Sequence, residues 1–202
     1  MSRESRNQVT AFFNESYRGT APWDIGRPQS EFVTLAHNGE IRGRVLDVGC
    51  GTGENAIFFA QLGLDVWGID SAPLAIEKAK KKAQVRGAKV HFVLGDAFRL
   101  NELGERFDTA TDCGLFHTFS DLERSLYSIS LRSVMKDYGT YLMLCFSTKE
   151  PSDWGGPRRV SEDEIRQTFR GRWKVNYVKE ARIETLFHKN GGLALLSSTT
   201  AS

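Results

Sequence analysis

A glycine-rich turn between an apolar run and a helical pattern constrains the fold of this chain more than any other feature. Residues 44–53 read Arg-Val-Leu-Asp-Val-Gly-Cys-Gly-Thr-Gly, so an apolar segment carrying a carboxylate turns through three glycines. Glycines in such a turn let the backbone approach a ligand closely. A second acid, Asp70, ends the next apolar run about 20 residues later. The pattern predicts an α/β sheet with a ligand near the carboxyl ends of its strands.

Short apolar runs alternate with amphipathic segments through the rest of the chain, which indicates parallel strands linked by helices. The predicted strands are 44–49, 65–69, 89–94, 107–113 and 140–146, and the predicted helices are 55–62, 72–86 and 121–135. The capping boxes Ser120-x-x-Glu123 and Ser161-x-x-Glu164 mark the starts of the last of these helices and of one further helix. Segments 173–186 and 192–197 are predicted to form an antiparallel pair joined through Lys189-Asn190-Gly191, because Asn-Gly favours a hairpin turn.

The first forty residues differ in pattern from the rest and predict a helical cover. Apolar residues recur at helical spacing in residues 5–17 and again in 29–37, and residues 19–28 form a loop rich in glycine and proline around Trp23. A chain of 202 residues suits a single domain. We therefore predict one domain over 1–202, with a cover at 1–39 and a core at 44–198.

Composition excludes several classes of function. The net charge is only +2, which argues against a nucleic-acid partner, and no apolar stretch is long enough to span a membrane. The three cysteines, Cys50, Cys113 and Cys145, are widely spaced in apolar contexts, so neither a disulfide nor a metal site is expected. The N-terminus lacks the apolar core of a signal peptide. We therefore expect a cytoplasmic protein without a bound metal.

The carboxylate of Asp47 favours one of two possible cofactors over the other. A dinucleotide places its pyrophosphate at the helix N-terminus after the glycine turn, where a neighbouring carboxylate is electrostatically unfavourable. S-adenosylmethionine has no phosphate and carries an ammonium and a sulfonium, so the same carboxylate favours it. Asp70 suits either cofactor, because a carboxylate can accept hydrogen bonds from both ribose hydroxyls.

The motifs together resemble those of class I S-adenosylmethionine-dependent methyltransferases. The matching elements are Asp47-x-Gly49-x-Gly51-x-Gly53, Asp70 and Gly95-Asp96-Ala97. The resemblance implies a Rossmann-like seven-stranded, mostly parallel sheet in the order 3-2-1-4-5-7-6, with strand 7 antiparallel and helices on both faces. It also implies cofactor contacts along the glycine loop and at the ends of the following strands, namely at Asp47, Gly49, Cys50, Gly51, Gly53, Asp70, Ser71, Asp96, Ala97 and Cys113. Asp96 and Ala97 lie near the adenine in that family, and Cys113 or its neighbours face the methionine part.

Two further elements narrow the expected acceptor to a small molecule. The Asn/Asp-Pro-Pro-aromatic element of base-modifying and amide-modifying members is replaced here by residues 112–117, Asp-Cys-Gly-Leu-Phe-His. Residues 22–27, Pro-Trp-Asp-Ile-Gly-Arg, are similar to an element of thiol, thiopurine and bacterial heterocycle (quinolone and quinone) methyltransferases. That resemblance implies that Trp23 packs beside the cofactor, although a hydrophobic plug is the alternative for a lone tryptophan. We expect several aromatic side chains to converge on a flat acceptor, with packing in the core as the alternative, above all for Phe12 and Phe13; these side chains are Phe12, Phe13, Tyr17, Phe116, Phe119 and Trp154.

The leading hypothesis is methyl transfer from S-adenosylmethionine to O, S or N of a small aromatic or thiol acceptor. His117 follows the fourth strand, so it is a candidate general base, or else a helix cap or a substrate hydrogen-bond partner. Tyr17 is a candidate positioning partner. The alternatives are a non-catalytic protein that senses or scaffolds through S-adenosylmethionine, and a nicotinamide-dependent oxidoreductase, which Asp47 disfavours.

Overall fold

The protein is built on one twisted sheet. Its computed structural model describes residues 3–188 and 190–202, with side chains from residue 8 onward. The strands are β1 (Arg44–Val48), β2 (Asp65–Asp70), β3 (Val90–Leu94), β4 (Phe107–Cys113), β5 (Met135–Phe146), β6 (Trp173–Ile183) and β7 (Gly192–Ala201). Their order in the sheet is β3-β2-β1-β4-β5-β7-β6. The first five strands pair in parallel and β7 runs antiparallel to both β5 and β6, so the predicted topology is confirmed.

Helices cover both faces of the sheet. They are α1 (Arg3–Ser16), α2 (Ser30–His37), α3 (Glu54–Gln61), α4 (Pro73–Val85), α5 (Asp121–Val134) and α6 (Glu162–Thr168). Both predicted capping boxes are present, at Ser120 and Ser161, and they begin α5 and α6. Two short 3-10 segments, 97–103 and 116–118, were not predicted, because their apolar spacing is too short to show a period. Within the described residues, no helix combines the length and apolar character that crossing a bilayer requires.

The hydrophobic core lies in two layers because successive residues of a strand point to opposite faces. Leu46 and Val48 of β1 pack with Tyr127 and Leu131 of α5 on one face. Val45 of β1 packs on the other face with side chains that include Phe32 of α2, Ile57 and Phe59 of α3, and Ile76 and Ala79 of α4. The central strands β1, β4, β5 and β7 are thereby mostly shielded from water, and the carboxyl ends of β1 to β5 all lie at one edge of the sheet.

Three predicted strand boundaries are wrong for reasons of tertiary structure, and one of them is the end of β7, which pairs with β5 and β6 as far as residues 200 and 201 instead of ending at residue 197. β5 begins at Met135 instead of residue 140, because Met135 pairs with Phe107 before a register shift, and Tyr138 within this stretch has a positive φ of 64°. β6 ends at Ile183, which pairs with Gly192, so residues 184–191 form a connection longer than a tight hairpin. Of the predicted turn Lys189-Asn190-Gly191, Lys189 lies outside the described residues.

Candidate cofactor and acceptor site

The glycine loop closes tightly against the end of β2. The N–H groups of Gly49 and Cys50 both donate to the carbonyl of Ile69, at 2.8 and 3.0 Å. Gly51 has φ 54°, and a Cβ added there would lie 2.8 Å from the hydroxyl of Tyr17. Glycine is required at this position both for the left-handed backbone and for the close approach of the cover.

Asp70, the last residue of β2, fixes the glycine loop through a hydrogen bond to its backbone. One carboxylate oxygen accepts the N–H of Gly51 and the other accepts the N–H of Ala72, each at 2.9 Å. Burial raises the pKa of Asp70, and the backbone donors at residues 72, 51 and 71 oppose that rise. Each carboxylate oxygen has a second lone pair, so these bonds leave acceptor capacity for a ligand hydroxyl.

Asp47 is a buried carboxylate with incomplete hydrogen bonding. Its Oδ1 accepts from the hydroxyl of Thr111 at 2.8 Å, whereas no group in the described part of the chain completes a hydrogen bond of normal geometry to Oδ2. The pKa of Asp47 is raised to about 7, mainly because the carboxyl is buried. The hydrogen bond from Thr111 and the amide of Ala56 lower this pKa, whereas the charges of Asp112 and Asp70 raise it. A buried, unsatisfied carboxylate oxygen beside a glycine loop is suited to a positively charged ligand group, reached directly or through water.

The N-terminal cover rests directly on this loop. The Tyr17 side chain is buried, and its hydroxyl accepts the indole N–H of Trp23 at 2.7 Å. Burial and the nearby charge of Asp70 raise the pKa of Tyr17, so its hydroxyl keeps its proton and remains available as a donor. Trp23 packs edge-to-face against Tyr17 and Phe13, with ring centroids 6.0 and 5.6 Å apart. The cover therefore presents a phenol and an indole above the cofactor loop.

Asp24, next to Trp23, fastens the cover to the glycine loop. Its Oδ1 accepts the hydroxyl of Thr52 at 2.8 Å, and the ammonium of Lys82 on α4 lies 2.6 Å from the same hydroxyl oxygen. Lys82 also pairs with Glu54 at 2.7 Å, in the first turn of α3. These partly buried contacts join the loop before α2, the glycine loop and two helices into one polar cluster.

The other end of the cover is fastened to the connection between β6 and β7. Arg27 makes a bidentate pair with Glu184, at 2.7 and 2.8 Å, and this lowers the pKa of Glu184 to about 2. The side-chain amide of Gln29 both donates to and accepts from the backbone of Glu184, at 2.9 and 2.8 Å. The N–H of Leu186 donates to the carbonyl of Pro22 at 2.8 Å. The cover thus bridges the cofactor loop and the 184–191 connection.

The segment after β4 is organised by Asp112. Its Oδ1 accepts the N–H groups of Leu115 and Phe116, and its Oδ2 accepts the hydroxyls of Tyr127 and Tyr141 at 3.2 and 3.0 Å. Burial raises its pKa to about 6 in spite of these donors. With four hydrogen bonds already made, Asp112 shapes the turn that carries Cys113 and His117.

His117 is buried behind this turn. Its Nδ1 accepts the N–H of Phe146 at 3.1 Å, and its ring stacks on the Phe146 ring with centroids 5.3 Å apart. Burial, together with the charges of Arg124 and Arg159, lowers its pKa to about 3. The imidazole is therefore neutral, and its single proton is on Nε2, which lies 3.4 Å from the position of a Cβ on Gly114.

The segment between β5 and α6 lies over the same edge of the sheet. Glu150 is buried and accepts from the indole N–H of Trp154 at 3.2 Å and from the N–H of Leu193 at 2.5 Å. Nε2 of His188 lies 3.1 Å from Glu150, and the guanidinium of Arg159 lies 4.2 Å above the Trp154 ring. A series of packed rings thus runs from His117, stacked on Phe146, through the tilted ring of His188 to the edge-to-face ring of Trp154.

The remaining predicted site residues take positions consistent with their order in the chain. Ser71 follows Asp70, Cys113 ends β4, and Asp96 follows β3 and accepts the N–H of Phe98 at 2.9 Å, so that it begins the 97–103 segment at Ala97. All therefore lie at the carboxyl edge of the sheet. Phe116 and Phe119, expected near the acceptor, are instead buried in the hydrophobic core. No cluster of three or more metal-ligating side chains occurs in the described ranges.

Comparison with known proteins identifies the family. Residues 45–139 match a family described as methyltransferase domain. The 2-heptyl-1-hydroxyquinolin-4(1H)-one methyltransferase of Mycobacteroides abscessus is 36% identical over 181 residues, covering 85% of this chain and 80% of that protein. This chain belongs to the S-adenosylmethionine-dependent methyltransferases. The methyltransferase is also 32% identical over 153 residues to the probable thiol methyltransferase 2 of Arabidopsis thaliana, covering 75% of this chain and 67% of that protein.

Structural comparison agrees with this assignment. A solved structure from work on the conversion of a disulfide bond into a thioacetal group during echinomycin biosynthesis superposes with a TM-score of 0.88 at 32% identity. The match covers 96% of this methyltransferase and 92% of that chain. The cofactor is S-adenosylmethionine and the activity is methylation of small molecules, so the nicotinamide alternative is no longer needed.

The residues of this site fit that cofactor. The unsatisfied Oδ2 of Asp47 suits a cationic ligand, and Asp70 retains lone pairs for hydroxyls. When bound, S-adenosylmethionine supplies a methyl group already activated on a sulfonium. Sequence reasoning missed the Asp24, Thr52 and Lys82 cluster, although Asp24 lies in the element that resembles heterocycle methyltransferases. Its partner Thr52 is 28 residues away, and nothing local in the sequence indicates that pairing.

Proposed function

We propose that this methyltransferase methylates the ionised oxygen of a flat aromatic hydroxyl acceptor, such as a hydroxyquinolone. The observation that carries this proposal is the neutral imidazole of His117, whose Nε2 carries a proton beside the turn after β4. A neutral N–H donor stabilises an oxyanion but cannot remove a proton from a hydroxyl. Trp154, exposed at the outer end of the packed rings that begin at His117, offers a ring against which an aromatic acceptor can pack. The relative that acts on a hydroxyquinolone supports the same acceptor class.

Different residues of the site have different roles in this proposal. The glycine loop with Asp47, Asp70 and Ser71, and further along the edge Asp96, Ala97 and Cys113, hold the cofactor. Tyr17 and Trp23 close the cover above the cofactor and exclude water. Because the methyl group is already activated, alignment and desolvation of the reactants supply most of the acceleration of methyl transfer. His117 is then a substrate-orienting donor in place of the general base. The acceptor loses its proton to solvent before transfer, so acidic hydroxyls are the preferred acceptors.

A panel of acceptors tests the proposal. We expect transfer of labelled methyl from S-adenosylmethionine to hydroxyquinolones and acidic phenols at rates about tenfold or more above those for aliphatic alcohols, because only the former are ionised near pH 7. Aromatic and aliphatic thiols belong in the panel because one relative is a probable thiol methyltransferase. If aliphatic thiols react fastest, the acceptor atom is sulfur and the proposed oxygen acceptor is wrong. Cofactor binding without transfer to any acceptor would favour the sensor or scaffold alternative.

Replacing His117 with alanine tests its role. We expect kcat/KM to fall by about tenfold to a hundredfold, by a similar factor for every phenol in a series of falling acceptor pKa, because one hydrogen bond to a charged oxygen is lost. His91→Ala on the exposed face of β3 is the control. The cofactor Kd should be unchanged in both variants. A loss of kcat/KM that is largest for the least acidic phenols would instead support the hypothesis that His117 is a general base.

We also propose that the enzyme works in the cytoplasm on a free small molecule and without nucleic acid. Cys50, Cys113 and Cys145 are all unpaired thiols, as expected in a reducing compartment. Burial raises the pKa of each thiol, so none is a reactive nucleophile.

A further inference from the structure

The guanidinium of Arg159 is fixed beside the packed rings that begin at His117. It lies 4.2 Å from the centroid of the Trp154 ring and 5.4 Å from the centroid of the Phe146 ring. A cation over the face of an aromatic ring is attracted to it. Phe146 stacks in turn on His117, with centroids 5.3 Å apart. The positive charge of Arg159 therefore lies within two ring contacts of His117.

Backbone carbonyl groups hold this guanidinium in place. Nη2 of Arg159 donates to the carbonyls of Pro151 and Gly155, at 2.6 and 3.0 Å. Nη1 donates to the carbonyl of Pro157, and Nε donates to that of Glu150 at 3.4 Å. The loop is thus folded around the side chain, and the position of the cation is set before any ligand binds. Carbonyl groups orient the cation, but they carry no net charge and do not neutralise it.

Arg159 also lacks the kind of partner that neighbouring arginines have. Arg158 pairs with Glu164 at 2.6 Å and with Asp121 at 2.8 Å, and Arg124 on α5 pairs with Glu164 at 2.8 Å. Over the residues that the structure describes, the hydrogen bonds of Arg159 go to carbonyl groups and no carboxylate forms an ion pair with it. A half-buried, immobilised cation without a counter-charge is suited to binding an anion.

Four charged or titratable side chains lie on the elements packed around Arg159: Glu150 in its own loop, His188 in the 184–191 connection, His117 after β4, and Arg124 on α5. Burial raises the pKa of Glu150, but its hydrogen bonds, including the one with His188, lower it below the usual range, so the carboxylate is ionised with its oxygens occupied by N–H donors. The pKa of His117 is lowered by burial and then by the charges of Arg124 and Arg159. The charge of Arg159 therefore acts at the turn after β4.

We propose that Arg159 is a specificity-determining residue whose positive charge selects the ionised form of the acceptor hydroxyl over the neutral form. This inference rests on the proposed function for the identity of the acceptor. The hydroxyl proton goes to solvent, and transfer of the methyl group to the ionised oxygen then leaves a neutral ether. Arg159 therefore attracts the substrate but not the product, which favours release of the product after transfer.

A spectroscopic titration tests this role without turnover. The probe is 4-nitrophenol, whose ionised form has a distinct visible absorption, bound to protein kept saturated with S-adenosylhomocysteine at every pH. Because this cofactor product has no sulfonium, a shift in the pKa of the probe reports on the protein. We expect the pKa of the bound phenol to lie about one unit below that of the free phenol, which corresponds to about tenfold tighter binding of the anion and is the effect of a charge about 10 Å away near a protein surface.

Three variants separate the charge of Arg159 from its contacts. In Arg159→Gln the anion should bind at most about twofold more tightly than the neutral phenol, whereas Arg159→Lys keeps the charge and should retain most of the tenfold preference. Arg158→Gln removes an adjacent cation that already has two carboxylate partners, so it should match the wild type. If Arg159 only shaped the loop, both substitutions of Arg159 would weaken the two forms of the phenol equally.

Three results would overturn the inference: no binding of the probe to the wild-type protein, an unshifted pKa of the bound probe, or a shift that persists in Arg159→Gln. Weaker binding of S-adenosylhomocysteine by Arg159→Gln would assign the cation to the cofactor and would also overturn it. Transfer of labelled methyl to 4-nitrophenol reports on the proposed function alone. Charge-selective binding without transfer would reject that function and retain the anion site at Arg159.

Discussion

Replacing Asp70 with alanine is expected to weaken binding of S-adenosylhomocysteine by about a hundredfold or more. The carboxylate accepts the N–H groups of Gly51 and Ala72, so its removal leaves two backbone donors unpaired and frees the glycine loop. In the proposed cofactor site the two ribose hydroxyls also lose their charged acceptor, and two hydrogen bonds to such an acceptor are together worth about 3 kcal/mol or more, the equivalent of that loss in affinity. Isothermal titration calorimetry measures the effect.

The opposite end of the same strand provides a matched control. Asp65 begins β2, is exposed, and pairs with Arg44 at the edge of the sheet away from the site. Asp65→Ala should therefore bind the cofactor product like the wild type. Thermal unfolding of both variants separates loss of the site from loss of the fold. An Asp70→Ala protein that is folded and binds within about threefold of the wild type would remove Asp70 from the cofactor site.

The second large effect expected is a dependence of cofactor affinity on the ionisation of Asp47. Its pKa in the folded protein is raised to about 7, so the carboxyl is mostly protonated at pH 6 and mostly ionised at pH 8. A ligand that carries an ammonium and a sulfonium favours the ionised form. Binding below pH 7 must therefore release a proton, and the Kd for S-adenosylmethionine should be about tenfold higher at pH 6 than at pH 8. Calorimetry across this range, in two buffers of different ionisation enthalpy, measures both the affinity and the proton release.

Asp47→Asn removes the titrating group and keeps the shape of the side chain. We expect weaker binding at pH 8, little change in Kd between pH 6 and 8, and no proton release. Asp163→Asn, an exposed carboxylate in the first turn of α6, should retain the wild-type pH dependence. If the Asp47→Asn variant keeps that dependence, another group is responsible for it.

The polar cluster around Asp24 explains how one short element serves two parts of the site. Trp23 reaches Tyr17 over the glycine loop, Asp24 reaches Thr52 within it, and Arg27 reaches Glu184 beyond β6. Trp23, Asp24 and Arg27 thus tie the cofactor loop to the 184–191 connection, so that one short element holds both.

The sequence by itself determined the order of strands and helices, the glycine loop, both capping boxes and the acids at the ends of β1 and β2. These features depend on neighbours within a few residues, where apolar period, glycine and capping chemistry act directly. Topology and cofactor came from the resemblance that those motifs carry, and comparison with the relatives confirmed both.

Tertiary structure alone decided what each polar side chain can do. His117 has the sequence position of a base, yet an N–H from Phe146, 29 residues away, occupies its Nδ1, and burial keeps the ring neutral. Asp47 acquires its raised pKa from burial and from Asp112 and Asp70 on neighbouring strands. Arg27 and Glu184 meet across 157 residues. Hydrogen-bond partners and desolvation arise only when distant segments pack together, so ionisation and proton-transfer roles could not be predicted from local sequence patterns.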